Sequence, residues 1–160
     1  MKIQASIPLQ VAADEAVAHI KHEMERRSYL VANELRNASL QVLRGQRSGR
    51  RYKAPGTYAR QRDKTDGKMK NGRYYTASAP GEPPAVRTDA FRPSWQPSAH
   101  VVFGSYISRI ESTLRTDDGK YTLGELLEEG TRNMAPRPYQ DLILEKAKPK
   151  IEKIYSAPYF

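Results

Sequence analysis

Two histidines, His19 and His22, stand three residues apart between Glu15 and Glu23, and imidazole with carboxylate is a donor set that suits transition metals. Their spacing matches no strong metal motif, and histidines one turn apart on a charged helix face are ordinarily just solvated, so neither metal nor cofactor is expected. The third histidine, His100, is two residues from Ser98, but hydrolysis by serine needs a base and an orienting acid as well, and no G-x-S-x-G elbow surrounds any serine here. The glycines of RSGRRYKAPG lack the G-x-x-x-x-G-K-[ST] spacing that cradles phosphates. Neighbouring acids occur at Asp117/Asp118 and Glu128/Glu129, yet adjacent residues point in different directions and do not form a catalytic pair. Cysteine is absent, which removes disulfides, thiol catalysis and cysteine-bound zinc together. No catalytic residue can be assigned, and the chain is expected not to be an enzyme.

The charge is informative through its position. Of 27 Lys and Arg against 18 Asp and Glu, 11 bases and only two acids, Asp63 and Asp66, fall between Arg44 and Arg73, so this stretch accounts for the whole net charge of +9. A neutral body with one basic segment differs from a uniformly basic nucleoid packer. Tyrosines are interleaved with the bases at Tyr52, Tyr58, Tyr74 and Tyr75, a mixture suited both to nucleic-acid stacking and to protein interfaces. The contact residues expected in this arm are Arg50, Arg51, Tyr52, Lys53, Tyr58, Arg60, Arg62, Tyr74 and Tyr75.

What must position these residues is a single domain, 1–160, since 160 residues suffice for one core but not for two. Lys2 to Ile7 alternates as a short strand would, limited by Pro8. From Val11 to Leu43 there is no Pro or Gly, and Val17, Ile20, Met24, Val31, Leu35, Ala38 and Val42 recur mostly every three or four residues. That spacing predicts one long amphipathic helix stopped near Gly45, longer than a small core can cover, so that one end projects or meets a partner. Residues 46–84 lose all periodicity and are read as an extended basic arm that is mobile until a partner orders it. Next come a short helical turn halted at Pro93, two strands within His100–Leu114 turning near Gly104 and Ser105, and a turn around Gly119. A short helix or strand at Leu123–Glu129 ends at Gly130, and a last helix, Gln140–Tyr155, turns Leu142, Ile143, Ala147, Ile151 and Ile154 inward and is kinked or split at Pro149. The fold class is therefore α+β: a long N-terminal and a C-terminal helix on a small, mainly antiparallel sheet, with the basic loop projecting.

Hydrophobic residues make up 38% and the mean hydropathy is −0.76, polar for a globular chain. No apolar run approaches the roughly 18 residues of a membrane span, and the opening MKIQASIPLQ lacks a signal peptide's apolar stretch. A soluble, unexported protein is expected.

Two segments carry a resemblance. TASAPGEPPAVRTDAFRPSW, Thr76–Trp95, resembles the "GxPP, then hydrophobic, then R-T-G-x-L-x-x-S" stretch of the small neck proteins of long-tailed bacteriophages; LLEEGTRNMAPRPYQDLIL, Leu126–Leu144, is similar to their "Y-x-x-x-L-E-x-G-T-x-x-M-x-x-R-P-F-L" signature. These are the tail-completion, or head–tail joining, proteins related to the minor tail protein Z group. Gly81, Pro83, Pro84, Arg87, Thr88, Phe91 and Ser94 fall on the first motif, and Glu129, Gly130, Thr131, Met134, Arg137 and Pro138 on the second, with Tyr139 for the usual Phe. Asp89 in place of Gly, Pro93, and Glu128 before the common Glu depart from the pattern. Physically, Gly130–Thr131 can end an element at positive φ, and Met134 to Pro138 then fixes an extended path into the last helix, which Pro138 can begin.

The resemblance implies a non-enzymatic virion protein, made in the host cytoplasm and located in the neck. It would be a ring subunit, hexameric by analogy, around the channel that genomic DNA traverses, with the head-completion or stopper protein, tail terminator and tail tube as neighbours. A channel lined with such arms would hold phosphates and hinder DNA passage, which favours docking of the arm on acidic protein surfaces. The alternative is a nucleic-acid-binding protein whose footprint is the arm, with tight, steeply salt-dependent binding by the monomer; an enzyme acting on nucleic acid or cell wall is a third reading.

Overall fold

The computed structural model describes residues 8–53, 60–62, 69–71, 74–87 and 90–159, those of 60–62 and 69–71 as backbone only. The strand expected at Lys2–Ile7 lies outside them. The α+β fold consists of helix α1 (Leu9–Val42), strands β1 (Arg51–Lys53), β2 (Arg60–Arg62), β3 (Met69–Asn71), β4 (Tyr74–Thr76), β5 (Trp95–Val102) and β6 (Ser105–Ser112), and helices α2 (Leu123–Glu129) and α3 (Gln140–Ser156). Its strands form three antiparallel pairs, β1–β4, β2–β3 and β5–β6.

Free of Pro and Gly, α1 runs for 34 residues, roughly 50 Å at 1.5 Å per residue. Its buried positions are Arg27, Ser28, Val31, Ala32, Leu35, Ala38 and Ser39, an i, i+3/i+4 face confined to the C-terminal half. Val17 and Ile20, expected to face inward, are exposed: their apolar stripe continues past the end of the core, as the length of the helix requires. Small residues on the buried face let the β5–β6 hairpin approach closely. Ser108 Oγ donates to the Ser28 carbonyl (2.8 Å) and lies 3.2 Å from Ser28 Oγ, so with its one proton committed it accepts from the Ser28 hydroxyl. Arg36 Nε donates to the Trp95 carbonyl, and the Tyr106 hydroxyl to that of Lys21. The hairpin thus lies along α1 with its tip toward the helix N-terminus.

That tip is Phe103–Gly104, a two-residue turn between the paired Val102 and Ser105. Both residues have positive φ, 48° and 78°, as a type I′ turn demands. The turn falls where glycine placed it, but β5 begins at Trp95, five residues before the expected start at His100. The expected helical turn before it is a turn at Phe91–Ser94, closed by Ser94 Oγ donating to the Phe91 carbonyl.

Helix α3 packs along α1 and is continuous through Pro149, instead of splitting there. Ile143 and Ala147 are buried and Ile151 and Ile154 pack against the core, whereas Leu142, expected inside, is exposed. The helix begins at Gln140 with Tyr139 as its N-cap, not at Pro138. Arg27 secures the far end: its buried guanidinium donates to the carbonyls of Ala157 (2.7 Å) and Pro158 (2.6 Å) and lies 3.8 Å from the Tyr159 ring centre, with the Glu23 carboxylate 3.6 Å from Nε. The charge is buried but compensated, as a buried cation must be.

In the segment expected to lack regular structure, β1 pairs with β4 (Arg51 with Thr76, Tyr52 with Tyr75, Lys53 with Tyr74) and β2 with β3. Three-residue strands of polar residues are too short to leave an alternating hydrophobic signature, which is why the sequence shows only a basic stretch.

Candidate functional site

The segments Thr76–Trp95 and Leu126–Leu144 meet where the basic ribbon leaves the body. The Gly81 amide donates to the Pro136 carbonyl (3.2 Å), and Arg137 Nη1 to the Ser78 carbonyl (2.9 Å). Ser78 is buried, and its hydroxyl donates to the Pro83 carbonyl (2.7 Å). Pro84 is buried beside it, and its carbonyl accepts from Arg47. Gly81 has φ 81° in the turn that Ala79 and Glu82 close through a backbone hydrogen bond.

Glu82 and Arg47, which sequence reasoning assigned no structural role, hold the base of the ribbon. The Glu82 carboxylate accepts from the Ser48 hydroxyl (2.6 Å), the Ser48 amide (3.1 Å) and the Ala79 amide (2.9 Å); these bonds, the hydroxyl's first, lower its pKa from 4.5 to about 2. Arg47 donates to the carbonyls of Val42 and Pro84, tying the end of α1 to the far end of the arm. One of the arm's bases is thereby structural. Because the folded Glu82 is the stronger acid, it stabilises the fold above pH 4.5, and that contribution disappears as pH falls toward about 2. Glu82→Gln is expected to lower the melting temperature at neutral and alkaline pH, where the carboxylate's contribution is complete, and to flatten the acid limb of the profile as that contribution disappears from the wild type.

The second segment is built on Gly130. Its φ of 80° ends α2, and its amide donates to the Leu126 carbonyl. Thr131 and Met134 exchange backbone hydrogen bonds of 2.8 and 3.1 Å, and the Arg137 amide returns to the Leu127 carbonyl. The chain then reaches Tyr139, 1% exposed, through Pro138. The Tyr139 hydroxyl donates to the Gly124 carbonyl (3.0 Å), while its amide donates to the Glu128 carboxylate (3.0 Å). Of the adjacent acids, Glu128 carries this bond and Glu129 is exposed; the motif's glutamate, assigned to Glu129, falls on Glu128 when L-E-x-G-T is aligned through Gly130 and Thr131. Tyr139, Phe91 and Trp95 contact one another edge to face, with centroids 5.6–5.8 Å apart, so a ring from each segment meets the first residue of β5. Burial, then the charges of Glu128 and Glu125, raise the Tyr139 pKa well above its ordinary value.

A cavity of about 780 Å³ opens between the two segments, with Leu43, Val86, Phe91, Leu126 and Met134 among its apolar lining and Arg87, Arg92, Arg115, Arg137 and Asp117 among its charged groups.

On the ribbon, Arg50, Arg51, Tyr52, Lys53 and Tyr74 are exposed and Tyr75 is half-buried. Tyr52 and Tyr75 stack at 6.0 Å, Arg50 lies over Tyr52 and Arg51 over Tyr74 at 5.0 Å, so cations and rings form one surface. Arg60 and Arg62 are in β2; Tyr58 and Thr88 lie outside the described residues. His19 Nε2 donates to the Tyr159 carbonyl at 2.9 Å, and His22 and His100 are exposed. Among the described residues, no group of three or more His, Asp and Glu side chains is placed to hold a metal ion, and no helix is long and apolar enough to cross a membrane. No protein-family model, curated protein or solved structure matches the chain.

Proposed function

We propose that this chain is a structural, non-enzymatic subunit of the neck of a long-tailed bacteriophage, a ring-forming tail-completion protein that joins a finished tail to a DNA-filled head. The observation that carries this reading is the closure of the two resembling segments on each other through the Gly81–Pro136 and Arg137–Ser78 bonds. These bonds tie together residues 55 and 59 positions apart, which suits a subunit that must present a fixed surface to its neighbours. The exposed ribbon of Arg50, Arg51, Tyr52, Lys53 and Tyr74 is its contact with acidic surfaces of adjoining neck proteins, where charge steers the encounter and tyrosine supplies buried area.

The test is reconstitution. Heads and tails made without this chain are expected to remain separate and to join when the purified protein is added, whereas Arg50→Glu/Arg51→Glu/Lys53→Glu, folded as wild type, should restore no joining. Heads and tails that join without the protein would defeat the reading. If the triple variant still yields infectious particles that eject DNA at an altered rate, the ribbon faces the channel. The same ribbon supports a nucleic-acid-binding reading, which requires tight binding of duplex by the isolated chain with affinity falling steeply in salt.

A further inference from the structure

Phe103 is fully exposed at the hairpin tip and has a φ of 48°. The first position of a type I′ turn favours Asn, Asp or Gly, and a bulky residue there is an outlier. The sequence thus keeps an aromatic ring where it is both strained and wet. Val101 and Val102 beside it are also exposed, making a protruding apolar knob. The cavity between the two segments lies at the opposite end of the hairpin, beyond the base at Trp95 and beside Leu43 just past α1. Eight residues of β5 separate knob and cavity by about 25 Å at 3.3 Å per residue. The charges of the two ends complement each other: residues 9–22 of α1, toward which the tip points, carry Asp14 and Glu15 against Lys21, while the cavity is lined by Arg87, Arg92, Arg115 and Arg137 against Asp117.

We infer that Phe103 of one copy seats in this cavity of a second copy. Knob and cavity are different surfaces of the same chain, so the contact is heterologous and repeats head to tail, closing as a ring or continuing as a filament. Phe103 meets the apolar wall formed by Phe91, Leu126 and Met134, and the acids at the start of α1 approach the arginines at the rim. The contact deepens the ring reading proposed above, but its test requires only the purified chain; failure would sink this contact and leave head–tail joining to its own experiment.

Since the chain has no cysteine, introduced thiols report only the designed contact. Mixed and mildly oxidised, Val101→Cys and Met134→Cys proteins, which both keep the Phe103 ring, are expected to give the mixed dimer at about tenfold or more over either homodimer, because seating raises the local thiol concentration. The double variant should give a ladder of multimers, as its two thiols are too far apart to pair within one chain. A statistical mixture of dimers, or a double variant that stops at dimers, overturns the inference. A second variant guards against simple misfolding: Phe103→Asn suits the turn better and should melt no lower than wild type, yet abolish cross-linking between Val101→Cys and Met134→Cys. Cross-linking that survives Phe103→Asn excludes the ring as the knob.

Discussion

Replacing Tyr139 with alanine is expected to lower the stability of the fold by about 3–5 kcal/mol, the usual range for truncating a buried aromatic residue. The side chain contributes in several ways. Its ring packs edge to face on Phe91 and Trp95, its hydroxyl satisfies the Gly124 carbonyl, and its position 1% exposed between α2 and α3 leaves surrounding groups little room to collapse into the void. Tyr139→Phe separates these effects. It keeps the ring and should cost about 1 kcal/mol, the net worth of one hydrogen bond. Alkali provides an independent check: with the folded phenol the weaker acid, its contribution is complete below the ordinary value of 10.0 and is lost as pH rises above it. Chemical denaturation of the wild type and both variants at pH 7 and above pH 10 measures all of this. Equal stability of the alanine variant and wild type would refute the account.

Gly130→Val is the second large effect, expected to cost about 3 kcal/mol or more. Backbone and space both oppose it. A β-branched residue at φ 80° is a steric outlier, and a Cβ there would sit 2.7 Å from the Met134 carbonyl oxygen and 2.8 Å from the Pro136 nitrogen. Those atoms belong to the Thr131–Met134 exchange and the path toward Tyr139, so they cannot withdraw without loosening the second segment. Gly130→Ala removes the branching but keeps both conflicts, and it should lose most of the same stability in thermal melts. A variant as stable as wild type would mean that the loop moves freely.

The sequence disclosed those parts of the fold whose signals are local. Uninterrupted helical spacing announced α1, Gly104 marked the hairpin turn, and Gly130 marked the positive φ after α2. Local signals also explain the misplacements. Val17 and Ile20 repeat the apolar spacing of Leu35 but run beyond the body that covers it, and Leu142 shares composition, not direction, with Ile143. Strands β1 and β4 are defined by pairing across twenty or more positions, which no window of neighbouring residues reveals, and β2 and β3, nearer in sequence, are too short to show an alternating pattern. At the candidate site, Gly81, Gly130 and Arg137 were visible as motif positions, whereas Glu82 and Arg47 were not: apart from the Ser48 hydroxyl their hydrogen-bond partners are backbone amides and carbonyls brought near by folding, and a backbone group has no letter in the sequence.

The side-by-side lie of α1 and the β5–β6 hairpin, joined at Ser28–Ser108, Lys21–Tyr106 and Arg36–Trp95, has a mechanical consequence. Tension along the hairpin is borne in shear by these spaced attachments together with the whole β5–β6 ladder, not by unzipping them one at a time. Pulled end to end between Phe103 and Leu43, the protein should behave as a stiff strut that yields abruptly at high force. Pulled crosswise between Trp95 and Ser112, the pair at its open end, the same hairpin should peel open at a much lower force.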